Sequence, residues 1–355
     1  MDSINTVLND ICNTLEKQKS NKRRQALNGN AGLALFYFYY YKYTDKEIYF
    51  NKGADALYET IKKINSNELN NSDSTLFSGI SGIGWLIEHL NELNFIDIDT
   101  DSLLSNSIDD YLHDRLLQFL HNRDYSYYEG ALGHCFYFVK RYQNTKSNTL
   151  KLKYKNYILE QIFFLENQRI RGVHKSSSSY MRSDIEPFKQ YLANIINFLS
   201  LLYYLNDFNL LLIPLLEDYT EILFNNTEKD NLFESEVALA LWNSSNILEN
   251  DSIKAKAQNI FQKNLFHKEP LSINDYFKTS MIYKSMFEKT NNNDYIEFKN
   301  YWQDKGIKNM RSNDLDSLEC DLWDGLSGIG LSLLSNENNF AINWQECLLI
   351  HAKIK

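Results

Sequence analysis

A short glycine pattern, G-x-x-G, occurs four times in this chain, and each copy stands at the start of an apolar helical stretch. The glycine pairs are Gly29/Gly32, Gly79/Gly82, Gly130/Gly133 and Gly325/Gly328. The first three copies are about fifty residues apart, and the long interval before the fourth has room for three altered copies. A period of this length is the signature of a repeat architecture. A closed ring of such repeats would have a centre in which chemistry could take place.

Each glycine pair leads into a helix with one apolar face. In the first copy, apolar side chains recur at the i, i+3, i+4 and i+7 positions, the spacing that lines one side of an α-helix. We predict that the glycines let backbones approach closely at the centre of the ring. The polar residue before each first glycine is the predicted helix N-cap. These four residues are Asn28, Ser78, Glu129 and Asp324.

Amphipathic stretches between these helices predict a second, outer layer. Examples are 49–64, 102–120, 150–167 and 254–265. With only three prolines and no alternating strand pattern, the chain is predicted to be all-α, with two concentric rings of helices in a single domain spanning residues 1–355.

Charge and cysteine usage exclude several classes of function. The net charge is −9 and no basic stripe is present, which excludes a nucleic-acid partner. No apolar run approaches the length of a membrane span, and the N-terminus lacks a signal-peptide core. The four cysteines have no C-x-x-C spacing, a pattern typical of free thiols in a cytoplasmic protein.

Several segments together resemble the lanthionine synthetase C family, the cyclases of lanthipeptide biosynthesis, most closely its Bacteroidetes-type members. The segments are 28–41, 76–90 (LFSGISGIGWLIEHL), 125–141, 322–335 (LWDGLSGIGLSLLS) and 344–349. The resemblance implies an α/α toroid of seven inner and seven outer helices.

The family resemblance also implies a reaction and a metal. Members hold zinc through a cysteine in a W-C-x-G string and through an adjacent Cys-His pair in a C-H-G string. Zinc lowers the pKa of a substrate cysteine, whose thiolate adds to a dehydroalanine or dehydrobutyrine. A histidine, an aspartate and an arginine complete the family's usual site.

This chain departs from the family pattern at every one of those positions. Asn243 follows Trp242 where the first zinc cysteine is expected, and Tyr276 and Phe277 replace the Cys-His pair, with Lys278 at the glycine. The histidine, aspartate and arginine positions fall on Asn194, Ser126 and Leu239. The segments around 194, 243 and 276 also lack G-x-x-G, so glycines and metal ligands are interpreted as lost together.

These replacements predict a protein without zinc or another cofactor. We expect a non-catalytic cyclase homologue that binds a precursor peptide, a dehydratase or an active cyclase. The aromatic residues Trp242, Tyr276 and Phe277 either fill the core or form a peptide-binding floor. Lys278 is expected to face a wet cavity or to pair with an acid such as Asp324 or Glu129.

Three alternatives stay open. His134, Cys135 and Cys320 are either a new metal site or, as we favour, a core histidine, a buried thiol and a thiol at the surface or in a pocket. A zinc-independent cyclase would use Tyr276, Lys278 or His134. A toroid enzyme of another class would use Glu129 and Asp324 as acid and base, although N-capping explains both carboxylates.

Overall fold

Helices make up most of the residues that this computed structural model describes. The structure describes residues 4–18, 24–64, 73–104, 106–170, 188–227, 234–263, 272–312, 315–337 and 343–350, and these residues contain no strand. The α-helices are α1 (Ile4–Lys17), α2 (Asn30–Thr44), α3 (Glu47–Ile64), α4 (Ile80–Glu92), α5 (Thr100–Leu103), α6 (Asn106–His121), α7 (Ala131–Asn144), α8 (Asn148–Ile170), α9 (Phe188–Tyr203), α10 (Asn209–Asn226), α11 (Glu234–Ile247), α12 (Asp251–Lys263), α13 (Ile273–Thr290), α14 (Asp294–Ser312) and α15 (Leu326–Ser335). Short 3-10 turns lie at Leu315–Ser317 and Trp344–Leu348.

Buried and half-exposed helices alternate along the chain. Helices α2, α4, α7, α9, α11, α13 and α15 are buried along most of their length, whereas α1, α3, α6, α8, α10, α12 and α14 each bury one side. The predicted all-α alternation is therefore confirmed. The predicted helix over 102–120 differs, because α5 ends at Leu103 and α6 begins separately at Asn106. Within the described residues, no helix is long and apolar enough to cross a membrane.

The chain divides into two compact units. Unit 1 comprises Met1–Ile108 and Glu269–Asn343, and unit 2 comprises Asp109–Lys268 and Trp344–Lys355. In unit 1, α15 packs on α2, α13 and α1. In unit 2, α9 packs on α10 and α11, and α7 packs on α8. The prediction of one domain over residues 1–355 stays a prediction.

The glycine-led helices begin one residue later than predicted. The N-cap is the glycine itself, at Gly29, Gly79, Gly130 and Gly325, and none of the four has a side-chain capping bond. The prediction that Asn28, Ser78, Glu129 and Asp324 cap these helices is therefore wrong. Ser78, for example, donates its hydroxyl to Asp73 instead.

Main-chain carbonyls of the preceding loop take the place of the side-chain caps. The amide of Ile80 donates to Asp73 O at 2.9 Å, that of Ala131 to Asp124 O at 3.0 Å, and that of Leu326 to Glu319 O at 2.8 Å. Each bond reaches back seven residues, so the loop folds across the first helical turn. This loop satisfies donors that a helix leaves open at its start.

The loop also explains both glycines of the pattern. A Cβ on Gly82 would lie 2.0 Å from Leu76 O, and a Cβ on Gly328 would lie 2.0 Å from Leu322 O. The first glycine is equally crowded, since a Cβ on Gly79 would lie 2.4 Å from Asp73 O. At Gly79, Gly82, Gly325 and Gly328 the glycine therefore admits the helix's own loop, whereas a Cβ on Gly32 would also lie 3.2 Å from Leu322 N of a distant segment. The interpretation that glycines and metal ligands were lost together stays a prediction. In the altered copy α13, a capping box between Ser272 and Asp275 starts the helix instead.

A buried ionic cluster holds three helices of unit 2 together. The Asp109 carboxylate of α6 accepts hydrogen bonds from the hydroxyls of Tyr137 (2.7 Å) and Tyr154 (2.6 Å). The fully buried Arg141 places Nε 3.7 Å from Asp109 Oδ1 and donates to the Tyr154 hydroxyl at 2.7 Å. Buried charges of this kind require partners, and each member of the cluster supplies one.

Two lysines bind the carboxyl end of α15 in unit 1. Lys284 of α13 donates to Ser335 O, and the buried Lys299 of α14 donates to Asn336 O at 3.2 Å. Cations at a helix C-terminus stabilise its exposed carbonyls. Burial and the neighbouring Lys284 charge lower the pKa of Lys299.

Candidate functional site

A hydrogen bond between two buried amides joins α11 to α9 at the first position singled out from the sequence. Asn243 Nδ2 donates to Asn197 Oδ1 at 2.9 Å, and both side chains are buried. Asn194, one turn before Asn197 on the same helix, is also buried. Asn197 was not among the residues predicted from the sequence, although its i+3 spacing from Asn194 places the two on one helical face.

The other predicted residues of unit 2 occupy ordinary structural settings. Leu239 is a core side chain of α11, and the buried Trp242 ring lies 5.0 Å from Lys254 Nζ of the next helix. Ser126 is fixed in the loop before α7, because its amide and hydroxyl both donate to Asp124 Oδ1, at 3.1 Å and 2.7 Å.

Tyr276 and Phe277 pack against the neighbouring helix α14. The Tyr276 ring lies 6.0 Å from the ring of Trp302. A Cβ added to Gly306 would lie 3.0 Å from Phe277 Cζ and 3.1 Å from Tyr276 Cβ, so both residues press on this glycine. With Phe277 fully buried and Tyr276 nearly so, the two residues belong to the core between α13 and α14.

Lys278 and Asp324 are the predicted residues that unit 1 does bring together. Lys278 is half-buried on α13, and Asp324 is exposed at the start of α15. Partial burial by surrounding atoms raises the pKa of Asp324, the Asp275 charge raises it further, and Lys278 lowers it. Asp275 itself is committed to the capping box, with Oδ2 accepting the Ser272 amide at 2.9 Å. This small group of charges is open to solvent at one helix end.

His134 and the cysteines lie inside the protein. The His134 ring is fully buried, donates from Nδ1 to Gly130 O at 2.9 Å and lies 5.0 Å from the Phe119 ring. Cys135 is buried beside it, and burial raises the pKa of its thiol. Cys320 is also buried, with its carbonyl accepting from Ser327 Oγ at 2.5 Å, so of the two predicted settings, the surface or a pocket, the surface is wrong. Its loop is hydrogen-bonded to the start of α15.

Cys12 and Cys347 complete the set of four free, buried cysteines, which confirms that the thiols are unpaired. Burial raises the pKa of Cys12 to about 12. In the part of the chain that the structure describes, no cluster of three metal-ligating side chains includes a cysteine.

Glu129 is exposed just before the N-cap of α7, and Asp324 holds the equivalent place before α15. The two carboxylates belong to different units. Their use as an acid–base pair stays a prediction.

Two comparisons with known proteins gave matches. Residues 22–184 match the family model described as lanthionine synthetase C-like protein. The fold is similar to a solved structure of nisin cyclase, with a TM-score of 0.71 and 17% sequence identity over 98% of this chain and 97% of that chain. The fold is accordingly an α/α toroid. No curated protein sequence matches this chain.

Proposed function

We propose that this chain, of which residues 22–184 match the lanthionine synthetase C-like family model, acts in lanthipeptide maturation as a non-catalytic cyclase homologue. It binds the precursor peptide, or a dehydratase or active cyclase that handles it. The observation that supports this proposal is the Asn243–Asn197 hydrogen bond, a neutral amide pair at the position that the resemblance aligns with the family's first zinc cysteine.

The side chains that the resemblance aligns with the family's metal ligands do not fit zinc. Zinc prefers about four tetrahedral ligands drawn from thiolate, imidazole and carboxylate. Here the aligned side chains are an amide bonded to Asn197, a phenol packed on Trp302 and a phenyl ring packed on Gly306. Without a metal, a substrate thiol keeps its ordinary acidity, and the catalysed addition loses its main driving group.

Binding a peptide does not require the zinc ligands. The helical scaffold remains intact around the altered positions, with α9 still packed on α11 and α13 on α14. The four buried free thiols support a reducing compartment, so we place the protein in the cytoplasm.

Metal content and ring formation test the proposal together. Purified protein should contain less than about 0.1 equivalent of zinc by mass spectrometry, because a zinc site needs about four ligands. Its incubation with a peptide carrying a leader segment, one dehydroalanine and one cysteine should give no ring formation above the uncatalysed rate. An Asn243→Ala variant should behave identically in both assays. Stoichiometric zinc, or rings formed faster than in buffer, would overturn the non-catalytic assignment.

Binding is measured on the same peptide. Fluorescence anisotropy with a labelled copy should show saturable binding, and a copy of scrambled sequence serves as the control. Equal weak binding of both copies, together with no capture of a dehydratase or of an active cyclase, would refute the role.

One observation favours a second candidate, a zinc-independent cyclase. Of the three residues proposed to assist such chemistry, His134 and Tyr276 are buried, whereas Lys278 is half-exposed beside Asp324. In that reaction a base removes the thiol proton, sulfur bonds to the β-carbon of dehydroalanine, and a proton is delivered to the α-carbon. The candidate fails if Lys278→Met and Asp324→Asn leave any measured ring formation unchanged.

A further inference from the structure

A cavity of about 190 Å³ lies in unit 2, between the end of α6 and the last turns of α8. Its lining residues are Leu120, His121, Arg123, Tyr125, Phe164, Asn167 and Gln168. Arg123 and Tyr125 belong to the loop that also carries Ser126, the position aligned with the family's catalytic aspartate. The cavity therefore adjoins the same loop as a position singled out from the sequence.

The lining combines an apolar floor with positive charge. Leu120 and Tyr125 are buried, and the Phe164 ring meets the His121 ring edge-on at 5.2 Å. Arg123 and Asn167 are exposed. Among the described residues that line the cavity, none is Asp or Glu. In a chain of net charge −9, this is a local environment suited to an anion.

Two acidic residues close in sequence to the lining, Glu166 and Asp124, and Asp218 of α10 are bonded to other groups. Glu166 accepts two bonds from Arg169, each of 2.7 Å, and Asp218 accepts a third from Arg169 at 3.3 Å. Asp124 Oδ1 accepts from the Ser126 amide and hydroxyl. The Arg169 charge thus partly offsets the charges of Glu166 and Asp218, whereas Asp124 is held by neutral donors.

The backbone fixes Arg123 at the cavity. The chain leaves α6 through a tight turn in which the Arg123 amide donates to Leu120 O at 3.1 Å and the Asp124 amide donates to Phe119 O at 2.9 Å. Arg123 adopts the left-handed conformation, with φ of 60°. Glycine is the residue that this conformation favours, so the arginine side chain is present at some conformational cost.

We propose that this cavity binds one residue of a peptide, a residue that carries a carboxylate on a short apolar stem. The inference rests on the proposed peptide-binding function. The volume is below the 300–1,000 Å³ of typical small-molecule sites, so it suits a single side chain. The stem packs on Leu120, Tyr125 and Phe164, and the Arg123 guanidinium takes the carboxylate through paired N–H donors. Asn167 and Gln168 hold the peptide main chain.

A matched acid and amide test this assignment on the full-length protein. The probes are 3-phenylpropionate and 3-phenylpropionamide, with dissociation constants measured by ligand-observed NMR. We expect the acid to bind about ten-fold more tightly than the amide, as for a charge-assisted hydrogen bond. Arg123→Gly should abolish that preference while keeping the fold, because glycine accepts the left-handed conformation. Phe164→Ala should weaken both probes.

Two control variants separate the cavity from general effects. Asn206→Gly makes the same backbone change at another left-handed position of unit 2, where φ is 62°. Lys146→Ala removes an exposed cation away from the lining. Both should bind the acid as the parent protein does. Equal binding of acid and amide, or an unchanged preference in Arg123→Gly, would overturn the proposal.

Two capped peptides identify the source of the carboxylate. One has an internal glutamate and an amidated C-terminus, and the other has no acidic side chain and a free C-terminal phenylalanine. Displacement of 3-phenylpropionate by either one supports the proposal and names the source, whereas displacement by neither overturns it.

The leader-bearing dehydroalanine peptide separates this inference from the proposed function. If it binds the parent and Arg123→Gly equally, and 3-phenylpropionate does not bind, the cavity assignment fails and the function stands. If the probe and a capped peptide bind but the leader-bearing peptide does not, the function fails and the cavity assignment stands.

Discussion

Replacing Gly328 by alanine should destabilise the protein, because the new methyl group would strike the chain's own main chain. The Cβ would lie 2.0 Å from Leu322 O and 2.8 Å from Leu322 C, whereas real Cβ atoms essentially never come closer than 3.0 Å. The obstacle is backbone rather than a flexible side chain. The loop must therefore move by about 1 Å, since neither the helix nor the carbonyl can yield by rotation.

The magnitude follows from the bonds that this movement breaks. Four hydrogen bonds fix the loop: Leu326 to Glu319 O (2.8 Å), Gly328 to Asp321 O (3.3 Å), Leu322 to Leu27 O (3.0 Å) and Ser327 Oγ to Cys320 O (2.5 Å). At about 1 kcal/mol each, their loss costs about 4 kcal/mol. Alanine returns about 1 kcal/mol through its better helix propensity. The net loss of about 3 kcal/mol lowers the melting temperature by about 4 °C for a chain of this length.

The assay is thermal unfolding followed by circular dichroism, with Gly53→Ala as the matched control. Gly53 is also helical, but a Cβ there would meet only the Phe38 ring, at 3.1 Å. That ring can give way, so the control should stay within about 1 kcal/mol of the parent. If Gly328→Ala melts within 1 °C of the parent, the proposed loop contact does not hold these glycines in place.

Three further outcomes are expected. Asp109→Asn should cost about 3–5 kcal/mol in urea unfolding, because it leaves Arg141 buried without its counter-charge, whereas Tyr154→Phe should cost about 1–2 kcal/mol; equal losses would contradict the assigned ion pair. The folded protein binds the Lys299 proton less tightly than the unfolded chain does. The free energy of unfolding should therefore rise with pH between the lowered pKa of Lys299 and its ordinary value of 10.5. The melting-temperature advantage of the parent over Lys299→Met should accordingly widen from pH 8 to pH 10, and a constant difference would argue against it. Asn243→Cys should not acquire zinc by mass spectrometry, because the aligned partners remain Tyr276 and Phe277; stoichiometric uptake would show that other ligands are within reach.

The helical repeats were predictable because their signal is local. Gly79 and Gly325 mark helix starts wherever they occur, and the spacing of apolar residues fixes which face is buried. The reason for the glycines was not predictable from pattern alone. It depends on a loop carbonyl six residues earlier, such as Leu76 O for Gly82, whose approach only the folded main chain reveals.

The sequence predicted which residues belong to the candidate site better than it predicted which residues contact each other there. Sequence reasoning singled out Asn243 but not its partner Asn197, since the two are 46 positions apart and meet only when α9 packs on α11. Burial of Cys320 was missed for the same reason, because a loop residue is expected at the surface unless a later helix covers it. The Arg123 cavity left no motif at all, because its lining comes from a helix end, a turn and a second helix.

The returning loops have a consequence for how this scaffold handles negative charge. In α2, α4 and α15 the leading main-chain amides are already used, since Asn30 donates to Arg24 O, Ile80 to Asp73 O and Leu326 to Glu319 O. Free amides at a helix start ordinarily bind anions such as a phosphate or an enolate. Because loop carbonyl oxygens already accept these amides, an oxyanion cannot bind at these helix starts through the main chain. Its charge has to be stabilised by side chains such as lysine or arginine.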